Sequence, residues 1–206
     1  MLDPRSLKLT AITDGMRDGS EELLARVAAA VRGGATMIQL RLKDENPRAI
    51  VEVASALLAI LPRAVPLVIN DRLDVALAAG AAGVHLGADD LPVVAARRIA
   101  PPGFVIGASV GCDAEVPGSR GADYVGIGPV FATGSKSDAG AAIGIAEFVR
   151  LAMLCELPAV AIGGMDASNA REAIEAGASG VAVIRAIFGA RDPEGAAREI
   201  WGAMEP

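Results

Sequence analysis

Aromatic residues are scarce in this chain of 206 residues: one Trp, one Tyr and four Phe, 3% of the total. A core must therefore be packed from Ala, Val, Leu and Ile rather than from large rings, although 52% of the residues are apolar. The same scarcity removes the stacking platforms that single-stranded nucleic acid needs. Positive charge is also in deficit, and a net charge of −6 opposes polyanions and anionic lipid at long range. Only two cysteines occur, Cys112 and Cys155. They are too few for a disulfide scaffold and fit a reducing cytoplasm as small hydrophobes. No run approaches 18 uninterrupted apolar residues, so no membrane-spanning helix is expected. The opening decapeptide holds Asp3 and Pro4 and has no apolar centre, so no secretory signal is expected either. Collagen-like periodicity is missing, and the apolar content is too high for disorder.

What is present is an alternation of short apolar runs with helical segments. Strands are expected near 7–12, 36–42, 66–70, 83–87, 104–109, 124–128, 158–163 and 180–184. Helices are expected near 20–32, 46–61, 71–79, 91–99, 112–119, 144–154, 167–176 and 192–203. Stretches such as Pro66-Leu-Val-Ile69 and Pro158-Ala-Val-Ala-Ile162 are apolar at every position, as parallel strands covered on both faces are. A Gly-Ala pair precedes an apolar run four times, at Gly34, Gly80, Gly121 and Gly177. Each Gly suits the left-handed residue that ends a helix. The 46, 41 and 56 residues between them suit two βα units apiece, so the pairs mark the even-numbered strands. Eight such units predict one (β/α)8 TIM barrel spanning residues 1–206. A doubly wound open sheet is the alternative topology.

Barrel chemistry sits where the strands stop. In Met37-Ile-Gln-Leu-Arg-Leu-Lys43, period two places Gln39, Arg41 and Lys43 on one face. Two cations there need an anion or open water. The third and fourth strands end in Asn70-Asp71-Arg72 and His85-Leu-Gly-Ala-Asp-Asp90. Asp71 and Asp90 can offer hard oxygen ligands to Mg2+, or cap the helices that follow, or both. His85, the only histidine, reads first as a packed, hydrogen-bonded core residue. The fifth strand ends at Ser109. The sixth runs into Gly128-Pro-Val-Phe-Ala-Thr-Gly-Ser-Lys136, where the Thr133 and Ser135 hydroxyls beside Lys136 suit phosphate or simply a solvated loop. Gly163-Gly164 after the seventh strand and Ile184-Arg185 after the eighth fall where barrels often bind phosphate through backbone N–H groups. Gly107, Gly126, Gly128, Ala161 and Gly163 suggest a hollow inner surface at this end. Two anion-binding poles result, enough for two phosphorylated molecules.

Taken in order, Gln39-Leu-Arg-Leu-Lys43, Asn70-Asp71-Arg72, His85 to Asp90, Gly128 to Lys136, Gly163-Gly164-Met165 and Gly180-Val-Ala-Val-Ile184 resemble the thiamine phosphate synthase family over essentially the whole chain. The resemblance implies a barrel enzyme that couples a hydroxymethylpyrimidine diphosphate with a thiazole phosphate, or its carboxylated form, to give thiamine phosphate and diphosphate. It implies Mg2+ on Asp71 and Asp90. Gln39, Arg41, Lys43, Asn70, Ser109 and Lys136 would bind the pyrimidine diphosphate, with catalytic weight on Arg41, Lys43, Ser109 and Lys136. Thr133, Ser135, Gly164 and the Ile184–Arg185 backbone would bind the thiazole phosphate. The partners so implied are small phosphorylated substrates, with no nucleic acid and no membrane; assembly into a homo-oligomer stays open.

Three positions depart from the family pattern. Ser135 stands where Thr is common, Arg185 where many members carry Ser, and Gly111 where many carry His. Two rival readings share the barrel. A thiazole tautomerase would place a His where Pro129 stands, and a non-catalytic phosphate-binding barrel would not need the Asp71, Asp90, Arg41, Lys43 and Lys136 set.

Overall fold

Residues 2–134 and 140–205 are described by a computed structural model. Eight strands, β1 (Leu9–Ile12), β2 (Met37–Leu40), β3 (Leu67–Asn70), β4 (Gly83–Leu86), β5 (Val105–Val110), β6 (Tyr124–Ile127), β7 (Ala159–Ile162) and β8 (Gly180–Val183), pair in chain order. Every pairing is parallel, and β8 closes onto β1 through Leu9 and Val181. The eight-stranded parallel barrel is thus present, and the open sheet is excluded.

The strands look apolar throughout because both faces are buried. Leu9, Ala11, Ile38, Leu40, Ile69, Val84, Ile106, Val125, Ala161 and Val181 point outward into the layer shared with the helices. Ile12, Met37, Val68, Val105, Tyr124, Val160 and Ala182 fill the interior, with Leu7 below them. Ala161 therefore belongs to the outer layer and does not contribute to a hollow interior.

The helices α1 (Ser20–Arg32), α2 (Pro47–Ile60), α3 (Leu73–Ala79), α4 (Val93–Ile99), α5 (Gly144–Cys155), α6 (Ala170–Glu175), α7 (Arg185–Phe188) and α8 (Pro193–Met204) surround the strands. α1 buries Leu23, Val27 and Ala30, one stripe at helical spacing. α2 and α8 each start with Pro in the first turn behind a capping side chain: Asn46 accepts the Ala49 N–H and Asp192 accepts the Gly195 N–H. Each such cap contributes about 1 kcal/mol. The Gly-Ala repeat does what its spacing suggests. Gly34, Gly80, Gly121 and Gly177 all have positive φ, between 70° and 112°, and lead into β2, β4, β6 and β8. After α1, α3 and α6, the N–H of the following Ala reaches back five residues to a helix carbonyl at 2.9–3.0 Å.

Two expected elements differ. The segment after β5 is a 3-10 stretch, Asp113–Ser119, with Pro117 inside it, and not an α-helix; Pro removes a donor that an α-helix would use. The short helix α7 directly after β8 was not expected. The first strand is also shorter than expected, because Pro4–Leu7 form a 3-10 turn capped by Asp3.

Candidate active site

The C-terminal ends of the strands open into a cavity of ≈ 1080 Å3. Its wall includes Arg41, Lys43, Asn70, Asp71, His85, Asp90, Ser109, Thr133, Gly164, Ile184 and Arg185. Residues from seven strand ends or the loops behind them thus meet at one mouth. Gln39 is not part of that wall. It is 4% exposed, in the layer beneath. Ser135 and Lys136 lie outside the described residues.

β2 ends at Leu40, so Arg41 is half-buried just past the strand and Lys43 is exposed in a turn. Arg41 is held by its own backbone. Thr13, fully buried, accepts the Arg41 N–H at 2.8 Å and donates its hydroxyl to the Arg41 carbonyl at 3.1 Å. The Arg41 Nε is buried without a hydrogen-bond partner among the described residues. A buried guanidinium nitrogen is costly to leave unpaired, which suits a site that expects an anion. Nothing in the local pattern around Thr13 marks it in advance, because its partner is 28 residues away.

Neither carboxylate caps a helix. α3 starts behind Arg72 and α4 behind Pro92, without a capping side chain in either case. Asp71 has a left-handed backbone, φ 65°, and its N–H donates to the His85 carbonyl at 2.8 Å. Asp90 turns back, and its Oδ2 accepts the Gly87 N–H at 2.6 Å. Both residues line the cavity. Arg72 pairs instead with Asp74 at 2.6 Å and holds that carboxyl below its ordinary range. Among the described residues, no three His, Cys, Asp or Glu side chains come together as a metal cage. A cation at this mouth would rely on the two carboxylates, completed by water and ligand oxygens.

The double glycine after β7 serves the neighbouring loop. Val130 and Phe131 donate their N–H groups to the Ile162 and Gly163 carbonyls, so the chain after β6 continues alongside the chain after β7. A Cβ at Gly163 would meet Pro129 Cα at 2.5 Å, and one at Gly164 would meet the Ala132 carbonyl at 2.7 Å; both glycines have positive φ. This close approach carries Thr133 to the cavity wall. Asn169 braces the arrangement, with Nδ2 donating to the Gly164 carbonyl at 2.8 Å and Oδ1 accepting the Asp166 N–H.

At β8, Ile184 and Arg185 lead into α7 and line the same mouth. The Arg185 guanidinium lies beside Gly134, and its Nε is 3.9 Å from Asp14. Gly111 has a local explanation. Glu115 folds over it and accepts its N–H at 2.6 Å, and a Cβ there would come within 3.1 Å of the Gly128 carbonyl.

The interior beneath the mouth is not hollow at Gly107. A Cβ at Gly107 would strike the Tyr124 ring at 2.3 Å and His85 Nδ1 at 2.5 Å. His85 is 8% exposed and bonded on both ring nitrogens, to Tyr124 and to Ser109. The core reading of this histidine holds, with one edge at the cavity.

The family model described as thiamine monophosphate synthase matches residues 9–187. A thiamine-phosphate synthase of Xanthobacter autotrophicus is 49% identical over 207 residues, covering 99% of this chain and 98% of that relative. Another, from Methanoculleus marisnigri, is 54% identical over 180 residues, covering 86% of this chain and 84% of the relative. The solved structure of a thiamine phosphate pyrophosphorylase from Pyrococcus furiosus gives a TM-score of 0.85 at 37% identity, over 98% of this chain and 96% of that one. A 3-hexulose-6-phosphate synthase, 19% identical with a TM-score of 0.74, shares the fold.

Proposed function

As this chain belongs to the thiamine monophosphate synthase family, a family of transferases, we propose that its cavity couples hydroxymethylpyrimidine diphosphate with thiazole phosphate, or with the carboxylated thiazole. The observation that carries the reading is the meeting of Arg41, Lys43, Asp71, Asp90, Ser109, Thr133 and Arg185 around one cavity of ≈ 1080 Å3. That volume sits at the upper end of ligand sites and leaves room for two molecules.

In the reaction, the bond from the pyrimidine methylene carbon to the diphosphate oxygen breaks, and its electron pair leaves with diphosphate. The thiazole nitrogen then donates its lone pair to the resulting carbocation; with the carboxylated thiazole, the carboxyl group is also lost as CO2 and a proton takes its place on the ring carbon. No side-chain nucleophile takes part. The protein has to stabilise the departing charge and hold the nucleophile in line. Arg41, Lys43 and, from the motif, Lys136 bind the leaving diphosphate. Asn70 and Ser109 orient the pyrimidine; Gln39 lies in the layer beneath and is not part of the cavity wall. Thr133, Ser135, Gly164 and the chain at Ile184–Arg185 hold the thiazole phosphate at the opposite side.

Mg2+ suits this donor set. The described wall carries three cations, Arg41, Lys43 and Arg185, against five carboxylates, Asp71, Asp89, Asp90, Glu115 and Asp166. A diphosphate would meet a net negative wall unless a divalent cation joined it, and Asp71 and Asp90 are hard oxygen donors of the kind this ion takes. When bound, the ion neutralises charge on the departing diphosphate. Among the described residues, no helix is long and apolar enough to cross a membrane, and both cysteines are free thiols. We assign the protein to the cytoplasm on that chemistry.

The test is direct. The purified chain is incubated with both substrates and Mg2+, and thiamine phosphate and diphosphate are measured by chromatography. Equimolar formation of the two products is expected. A folded protein that yields neither overturns the proposal.

A further inference from the structure

The ladder between β1 and β2 ends in an irregular step. The two strands pair in parallel as far as Ile12 and Gln39. Thr13, one residue past β1, extends the pairing by donating its N–H to the Gln39 carbonyl at 3.0 Å. In a regular parallel ladder the next bond would run from the Arg41 N–H to the Thr13 carbonyl. Here that N–H goes to the Thr13 hydroxyl oxygen at 2.8 Å, and the hydroxyl passes its own proton to the Arg41 carbonyl at 3.1 Å. One side chain answers both backbone groups of a single residue, at the point where the chain leaves the sheet for the cavity wall. Thr13 is fully buried, and its branched Cβ restricts the rotation of the hydroxyl.

The Arg41 side chain has no comparable anchor. Among the described residues no carboxylate pairs with it, and its Nε is buried without a hydrogen bond. Arg72, past the end of β3, is by contrast tied to Asp74 at 2.6 Å. A long side chain that no partner holds loses rotamer freedom when it grips a ligand. Its reach is then set by where its Cα stands and how its backbone is turned. For Arg41 both are set by the Thr13 hydroxyl.

We propose that Thr13 is a positioning residue that acts through Arg41, fixing the guanidinium at the mouth for the leaving diphosphate. Thr13 touches no substrate itself; it does not line the cavity. The inference rests on the reading of Arg41 as a diphosphate contact, and it assigns to a residue of β1's exit an effect on one substrate only. A hydroxyl that merely satisfied buried backbone groups would affect the whole site alike.

The test measures binding of inorganic diphosphate to the full chain by calorimetry with Mg2+ present. Thr13→Val keeps the branched shape and removes the hydroxyl. Its affinity should fall about tenfold, the low end of a lost hydrogen bond to a charged group. Thr13→Ser restores the hydroxyl and should stay within about threefold of wild type. In an Arg41→Ala background, Thr13→Val should cost less than about twofold, because the group it acts through is gone. In the coupling assay, KM for the thiazole phosphate should stay within about twofold in each Thr13 variant.

Wild-type affinity in a folded Thr13→Val protein overturns the inference. So does a Ser variant as weak as the Val variant, an undiminished effect in the Arg41→Ala background, or an equal rise in KM for the thiazole phosphate. Hydrogen exchange on the wild type decides even if the Val variant does not fold. The Arg41 amide lies past the strand, yet it should exchange as slowly as the amides of β2, and fast exchange removes the clamp. Arg41→Ala with wild-type affinity overturns the inference together with the reading of Arg41. Diphosphate bound as expected by a chain that forms no thiamine phosphate leaves the clamp standing and removes the proposed reaction alone.

Discussion

Asp71→Asn separates a metal ligand from a structural carboxylate. Asp71 occupies φ 65° directly after β3, a conformation that costs most L-residues about 1–2 kcal/mol but that Asp and Asn both adopt readily. Asn therefore keeps the backbone, the size and the bond from the residue 71 N–H to the His85 carbonyl. The variant should lie within about 0.5 kcal/mol of wild type, as substitutions clear of the core usually do. That is a shift in Tm of roughly 1–2 °C for a chain of this length. Turnover should respond very differently. In the proposed site, the substitution removes one of two hard anionic ligands at the mouth, and a cation's charge stabilisation of several kcal/mol would rest on them. At tenfold per 1.36 kcal/mol, the loss is about 10²- to 10³-fold. Asp71→Ala should lose as much activity and, in addition, about 1–2 kcal/mol of stability from the left-handed backbone. The assay is thiamine phosphate formation across a Mg2+ titration, with urea unfolding of the same preparations. Wild-type turnover by Asp71→Asn at sub-saturating Mg2+ would refute the metal assignment. Equal stability losses in the Asn and Ala variants would refute the backbone argument.

Further outcomes are expected elsewhere in the chain. Lys136→Ala should weaken binding of the pyrimidine diphosphate about ten- to a hundredfold, the range of a hydrogen bond to a charged group; unchanged affinity by calorimetry would count against its role. Gly107→Ala should destabilise the fold by about 1–3 kcal/mol through overpacking, because the new methyl would press on Tyr124 and His85 at 2.3 and 2.5 Å; an unchanged urea midpoint would show that these two side chains can part. Glu194 is flanked by Arg32 at 2.8 Å and Arg198 at 2.7 Å, and both hold its carboxyl below the ordinary range. Its folded value is depressed, so its contribution is present above the unfolded carboxylate value and is lost as pH falls through the folded one. Glu194→Gln should flatten the acid limb of a Tm-against-pH curve, and an acid limb identical to wild type would exclude that pair as a contributor.

Much of the architecture could be read directly from the chain. Apolar runs such as Pro158–Ile162 announce strands buried on both faces, and a Gly followed by Ala needs only local backbone preference to end a helix and start a strand. Both signals are carried by neighbouring residues, and both survive in the barrel. The strand-end motifs were legible for a related reason: once eight βα units close, every strand end must come to one rim, so Arg41, Lys43, Asp71, Asp90, Ser109 and Arg185 had to approach the same cavity. The family likeness supplied their proposed roles and was carried by the same short stretches.

What each group does at that rim was decided only by contacts across the barrel. Asp71 and Asp90 look like helix caps in sequence, yet the helices start behind Arg72 and Pro92 and leave both carboxylates in the loops. Gly163 and Gly164 line the cavity, and the chain at Pro129–Ala132 packs into the space where their Cβ atoms would be. Gly107 suggests a hollow, and Tyr124 and His85 fill it. Thr13 holds Arg41 across 28 residues, and His85 bonds Tyr124 across 39. Hydropathy and turn preference act over a few residues and are written along the chain. Close packing and hydrogen-bond partnership join residues far apart in it, and they come into being only when the cylinder closes.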